Sequence, residues 1–425
     1  MGNNTQHHPI CIVGGGAAGV FAAICIAEGI PHSKVLLLEK ARQFLAKVRI
    51  SGGGRCNVTH GCFDPKLLVN NYPRGSKALL GPFTRFQPRD MMAWLQQRGV
   101  ELKIEDDNRV FPCSNDSQTI IDCLLAEAKR CGVEMRNLSA IDGIERNENR
   151  YILQLASGEQ IACNHLVLTT GSNPKAWEWL THLGHTIVPP LPSLFTFNMP
   201  ASPLLELAGV SVADAHVAIP KLNLSQRGPL LLTHWGMSGP AILKLSAWGA
   251  RKLHEIGYTF ELQVNWVPDM SHEELLEALQ SCKQRSGARL VVNEPAVPLP
   301  RNLWKALVAK SKIPMEMRWA TTSKAMLQQL AKELIAGSFD VQGKSTYKEE
   351  FVTCGGVSLG DVDFKRMESK CCPHLYFAGE ILDIDGITGG FNFQNCWTTA
   401  WIAAQAIIAS VKSDSDNSNG QGAHK

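Results

Sequence analysis

The sequence has no Cys-x-x-Cys pair, although it carries 13 cysteines. Zinc ribbons and thioredoxin-like dithiols depend on that spacing, so neither is expected. The cysteines are scattered and odd in number, and one pair is adjacent, Cys371-Cys372. That pair could close as a vicinal disulfide, but a reduced pair in a loop is the reading adopted. The stretch Asn3–Pro9 is polar and lacks the layout of a secretion signal, so the thiols read as reduced and the protein as cytoplasmic. No run of 18 apolar residues occurs, so no membrane span is expected. An excess of charge is missing too. Lys+Arg 42 against Asp+Glu 39 leaves +3. That balance offers no electrostatic footprint for a nucleic acid or an acidic membrane, and neither is expected as a partner. No metal site is expected either.

What is present is a soluble, core-forming composition, 44% apolar and 19% charged over 425 residues. At about 150 residues per domain this length suggests two or three domains. The run Ile10–Val13 reads as a buried strand, Ala17–Gly29 as a helix and Val35–Leu38 as a second buried strand, which makes a βαβ unit. Helices are expected near 90–99, 118–131, 271–283, 301–311, 322–336 and 394–411, the 271–283 helix opened by a Ser271/Glu274 capping box. Residues 259–266 alternate as a strand with Phe260, Leu262, Val264 and Trp266 on one face. The prolines at 189, 190 and 192 predict broken structure and a domain crossing. The expected class is α/β. A discontinuous Rossmann-like domain spans 1–190 and 339–412. It is interrupted by a β-rich, barrel-like subdomain (191–268) and a small helical subdomain (269–338). The tail 413–425 is expected to be disordered.

Gly14-x-Gly16-x-x-Gly19 follows the first strand and opens a helix, and Glu39 ends the second strand. In this setting Gly14 permits the turn, Gly16 lets backbone approach a pyrophosphate, and Gly19 lets helix and strand pack closely. The helix N-terminus, with Ala17 and Ala18, offers N–H groups to phosphate. The Glu39 carboxylate can accept ribose hydroxyls, and Lys40 and Ile141 complete the nucleotide set. Gly53, Gly54 and Arg55 follow in a three-glycine run suited to backbone lying against a flat or charged ligand. Thr170 and Gly171 end another strand. Near the C-terminus come Gly379, Glu380, Asp383, Gly389, Gly390, Asn392 and Gln394, an arrangement suited to a ribityl chain, with a helix N-terminus aimed at a flavin edge.

These motifs resemble the two-dinucleotide-binding-domain class of FAD proteins. More narrowly, they resemble the bacterial aminoacetone-oxidase-like or BaiN-like family of FAD-dependent oxidoreductases. The resemblance rests on Gly14–Gly19, Ile50–Thr59, Arg109–Pro112, Leu232–Ala241, Val352–Val357, Met367–Lys370 and Leu375–Gln394, and covers residues 9–410. It implies non-covalent FAD and hydride transfer between flavin and a small organic substrate. It leaves NAD(P)H open as the reductant. Amine oxidation and enoyl-type reduction are both attributed to members, so the cofactor is better fixed than the reaction. The chain departs from the family at Leu45-Ala46-Lys47-Val48 and at Ser172–Trp177, which bears on the substrate entrance more than on the FAD site. There is one Gly-x-Gly-x-x-Gly, which argues against the disulfide reductases. An enzyme acting on RNA and a non-catalytic flavin-binding sensor are the alternatives.

Three residues are catalytic candidates. Arg55 could hold a substrate carbonyl or a flavin edge, or form a structural ion pair. Asn57 shares its loop. His234 is the candidate general acid/base, or a hydrogen-bonded histidine at a strand end. Cys56 reads as a small buried residue. Asp385 reads as a turn cap. Asn392 and Gln394 are helix caps or contacts to the flavin pyrimidine, the latter favoured. The tryptophans 235, 248, 266, 304 and 319 read mainly as packing.

Overall fold

The computed structural model describes residues 5–147, 150–345 and 352–421. Short apolar runs make its centre. Ile10–Val13, Val35–Leu38, His165–Leu168 and Leu375–Phe377 are strands buried at every residue. They pair in parallel, in the order 375–377, 165–168, 10–13, 35–38, and Glu134–Arg136 adds a fifth parallel strand beyond 35–38. Glu368–Ser369 and Val362–Asp363 extend the other edge antiparallel. Continuous apolar strands of this kind need cover on both faces. The helix Ala17–Gly29 supplies part of it and is itself buried from Ala17 to Ala27. The last helix, Phe391–Gln421, lies against it. A Cβ on Gly29 would stand 2.2 Å from Ile408 Cδ1.

The chain divides into two compact units, Met1–Pro190 with Val352–Lys425, and Leu191–Phe351. The first also carries a four-stranded sheet (6–7, 160–163, 150–155, 141–147) and a three-stranded one (59–60, 109–112, 102–104). The proline-rich Ile187–Pro192 is a strand rather than broken structure. It pairs with Thr353–Val357 in a two-stranded sheet, where an edge position tolerates proline.

The second unit holds a seven-stranded sheet in the order 337–342, 259–265, 211–219, 224–233, 236–238, 196–198, 344–345. Its two end strands, 337–342 and 344–345, are consecutive in the chain, and Gly343 between them accepts from the N–H of Asn198 and donates to Tyr258 O. Helices 240–255, 272–285, 301–310 and 324–336 complete the unit. The β-rich and helical parts, expected as separate subdomains, share one core. Val217, Leu232 and Val264 belong to the same cluster as Leu279, Trp304 and Leu330. The chain re-enters the first unit at Val352, later than the expected 339, because Gly337–Gln342 pairs along Thr259–Asn265.

The polar run from 413, expected to be unstructured, is helical through Gln421, and residues 422–425 lie outside the described residues. Extending a helix already nucleated by packing is far easier than starting one, so composition alone misplaces the end. No helix among the described residues is long and apolar enough to cross a membrane.

Candidate functional site

The strand register brings the motifs together. Val13 pairs with Leu38 and Leu168, and Leu168 pairs with Phe377. The residues that follow each strand therefore share one sheet edge: Gly14, Glu39, Thr169–Gly171 and Ala378–Glu380. The C-terminal edge of a parallel sheet is where α/β folds bind ligands.

The three fingerprint glycines differ in what they answer to. Gly14 has φ +111°, donates its N–H to Leu38 O at 2.8 Å, and would place a Cβ 2.5 Å from Thr169 O. A Cβ on Gly19 would stand 1.9 Å from Gly14 O. Both are required by the protein's own packing. A Cβ on Gly16 would meet nothing within 4 Å. Gly16 is the N-cap of Ala17–Gly29, with no side-chain cap and no acidic residue in the first turn. The open space thus lies at the positive end of a helix dipole, as a pyrophosphate requires. Ala17 and Ala18 are buried behind it. A Cβ on Gly379 would stand 3.2 Å from Ala18 Cβ.

Glu39 accepts from the N–H of Gly15 at 2.6 Å and of Ala41 at 2.8 Å, so its carboxylate is fixed beside the glycine turn. Each of its oxygens keeps capacity for a ribose hydroxyl. Lys40 is exposed, and Ile141 is buried at the start of the strand Ile141–Asn147. Thr169 Oγ1 donates to Gly14 O at 2.8 Å and locks the two strand ends. Thr170 Oγ1 is buried with no hydrogen-bond partner among the described residues. A buried hydroxyl normally finds one, so a ligand at this edge would satisfy it. Gly171 has φ +60° and faces Glu380, whose Oε2 is 3.6 Å from where its Cβ would be. Glu380 is held by Lys47 Nζ at 2.5 Å and by the N–H of Thr353 at 3.0 Å. Gly53 and Gly54 have φ +69° and +84°, and a Cβ on either would meet nothing.

Other candidates are engaged within the protein. Arg55 pairs with Glu105 at 2.7 Å and lies over the Phe111 ring at 3.9 Å. Asn57 is buried. With its amide oriented to satisfy both ends, it donates to Thr59 O and accepts from the N–H of Gly390 at 3.0 Å. Burial pushes the Cys56 thiol up to about 12, so it carries little thiolate at neutral pH. Asp383 accepts from Gly355 N–H at 2.9 Å. Asp385 is fully buried and paired with Arg74 through both carboxylate oxygens. Asn392 accepts from the N–H of Gly386 and donates to its carbonyl. Gln394 accepts from Thr59 Oγ1 at 2.6 Å and donates to Thr398. Gly389 and Gly390 have positive φ, and a Cβ on Gly390 would stand 2.4 Å from Thr59 O. His234 lies on the second unit, exposed, in the turn between Leu224–Thr233 and Gly236–Ser238. The structure therefore gathers the fingerprint, Glu39, Thr170, Gly171 and Glu380 on one edge of the first unit, while His234 belongs to the other unit. Cys371 and Cys372 are free thiols.

Thr169 and Lys47 were not among the candidates. The Thr169 hydroxyl acts on a loop 155 residues earlier in the chain, and Lys47 acts on an acid 333 residues later. No local spacing signals either. The open cradle at Gly16, the unsatisfied Thr170 hydroxyl and the fixed carboxylate together fit FAD. Gly14–Gly19 would hold its pyrophosphate, and Glu39 its adenosine ribose.

The model of the HI0933-like protein Rossmann domain matches residues 8–406. The ribosomal RNA dihydrouridine synthase of Escherichia coli (strain K12) is 29% identical over 95% of this chain and 98% of its own length. The 3-dehydro-bile acid delta(4,6)-reductase of Clostridium scindens is 24% identical over 93% and 98%. The solved structure of a 3-ketosteroid-delta4-(5alpha)-dehydrogenase from Rhodococcus jostii RHA1 superposes with a TM-score of 0.49 at 14% identity, over 94% of this chain and 97% of that one. The chain belongs to the HI0933-like Rossmann-domain family.

Proposed function

We propose that this enzyme reduces a carbon–carbon double bond conjugated to a carbonyl. The supporting observation is the chemistry shared by the names of its full-length relatives. Dihydrouridine is uridine with its ring C=C saturated, and a bile-acid delta(4,6)-reductase saturates a dienone. Each adds one hydride and one proton across an activated bond. Bound FAD supplies the hydride chemistry, and the protein's part is to hold and polarise. Glu39 and the Gly14–Gly19 turn anchor the nucleotide end, and Glu380, fixed by Lys47, orders the strand end beside Gly171. NAD(P)H is the reductant proposed. The thiols fit a cytoplasmic setting.

Of the two substrates, a uridine in ribosomal RNA is favoured, because the relative with that name is the more similar, 29% against 24% identical. The near-neutral net charge, which weighs against a nucleic acid in the sequence, is an average over 425 residues and leaves local charge open. A small organic enone is the second reading, carried by the bile-acid relative. The test is to incubate the FAD-loaded enzyme with NADH or NADPH, without air, and ribosomal RNA from cells lacking the enzyme. Nucleoside mass spectrometry would then show uridine gaining two hydrogens. Turnover of a dienone with unchanged RNA would favour the second reading. A flavin that bleaches and is reoxidised by neither substrate would sink the proposal.

A further inference from the structure

A second group of chemistry-bearing side chains lies at the other end of the central sheet. His185 follows the helix Pro174–His182, and Cys371 and Cys372 precede the strand Leu375–Phe377. All three belong to the first unit. Because the strand ends at the nucleotide edge, these cysteines sit before its opposite, N-terminal end. A ring nitrogen of His185 and the two Sγ atoms lie within 4.8 Å of one another. Cys371 Sγ is 3.4 Å from His185 Nε2. Tetrahedral zinc, with Zn–S about 2.3 Å and Zn–N about 2.05 Å, separates its sulfur and nitrogen ligands by about 3.5 Å. The observed distance is therefore already that of two ligands on one ion.

The imidazole is set for the role. Its Nδ1 is 3.2 Å from Leu180 O. A carbonyl can only accept, so Nδ1 carries the proton and Nε2 is an acceptor, with Ser369 Oγ at 2.8 Å and Cys371 Sγ at 3.4 Å. Metal-ligating histidines are commonly oriented in this way, by a backbone carbonyl on the other nitrogen. His185 is 4% exposed and meets the Phe377 ring edge-on at 5.3 Å. Ser369 Oγ accepts the N–H groups of Cys371 at 3.3 Å and Cys372 at 2.9 Å, and lies 2.8 Å from Nε2. It holds the two-cysteine turn against the ring, and a metal would take over the lone pair that its O–H now uses. Cys372 is buried, while Cys371 is exposed and gives a route of entry. The other cluster of this kind among the described residues, Glu28, Glu127 and Cys131, has its carboxylates committed to Arg98 and Arg130.

We propose that His185, Cys371 and Cys372 form a binding site for one thiophilic divalent cation, with Zn²⁺ as the probe, leaving a fourth position open to water. Two soft thiolates and one imidazole select zinc over magnesium or calcium, which prefer oxygen.

The test uses the full chain with FAD bound, reduced, stripped with a chelator and dialysed against buffered Zn²⁺. Elemental analysis should find about one zinc per chain. Cys371→Ser alters an exposed side chain and should weaken binding at least tenfold with FAD retained. His185→Gln should do the same, with flavin absorbance reporting whether it folds. Cys113→Ser, at another exposed cysteine, should bind as the parent does. Three results would overturn the site. They are no zinc uptake by the reduced parent, equal binding by Cys371→Ser, or a Cys371–Cys372 disulfide that, once reduced, still takes up no metal.

Discussion

Lys47 Nζ lies 2.5 Å from Glu380 Oε2, across 333 residues of chain. The pair ties the segment after the second strand to the acid that ends the last parallel strand. Lys47 is about half exposed and Glu380 is 18% exposed. An ion pair so open to water contributes below about 1 kcal/mol. Lys47→Met should therefore leave the unfolding midpoint within a few degrees of the parent. Glu380→Ala should act differently, because it also frees the Thr353 N–H at the ligand edge. FAD retention should fall at least about tenfold, read by flavin fluorescence on dilution.

The glycines at 16 and 19 should separate binding from folding. Gly16→Ala adds a methyl that touches no protein atom. Its apoprotein should melt like the parent, while FAD affinity drops by about tenfold or more. Gly19→Ala drives a methyl into Gly14 O and Thr169 Oγ1. It should lose about 1–3 kcal/mol of stability even without ligand. Equal melting of the two apoproteins would contradict the assignment.

Asp385 has no exposed surface and pairs with Arg74, whose side chain is 11% exposed. Removing one partner of a buried pair leaves the other charged and uncompensated, at about 3–5 kcal/mol. Asp385→Asn should show that loss in urea unfolding. Arg74→Met combined with Asp385→Leu should recover part of it. A single mutant that unfolds like the parent would show the pair to be solvated.

His165 is 4% exposed and meets His374 edge-on at 4.8 Å. Burial first, and the neighbouring His374 second, push its pKa down to about 4. Above the ordinary histidine value of about 6.5 both states are neutral, and the contribution is fully present. Between about 6.5 and 4 the unfolded chain takes up a proton that the folded chain refuses. Stability therefore falls as the pH falls, by on the order of 3 kcal/mol in all. His185 and His8 are shifted the same way, so the parent loses more than this one group accounts for. His165→Asn should flatten the loss between pH 7 and 4.5 in urea titrations. An unchanged slope would assign the effect elsewhere.

Local pattern determined a large part of this molecule. Short unbroken apolar runs bounded by turn residues fit strands covered on both faces, and Ile10–Val13 and Val35–Leu38 are such strands. The Ser271/Glu274 box is a short-range hydrogen-bond arrangement, and it forms at the start of His272–Arg285. The Gly14–Gly19 spacing and Glu39 carry their geometry within one βαβ unit, so they could be read before any fold was known.

Tertiary structure decided the rest, because the deciding contacts are remote in sequence. Arg55, Asn57 and Gln394 look available for a ligand when read as motif letters, yet Glu105, Gly390 and Thr59 engage them. Gly337–Gln342 is a strand of the second unit because Thr259–Asn265 offers it an edge to pair with. Lys47 meets Glu380, and His185 meets Cys371, only once the parallel sheet has set the ends of its strands side by side. Sequence fixes what a segment can be when the forces act over a few residues. Which side chains remain free to act depends on partners that only folding brings within hydrogen-bond reach.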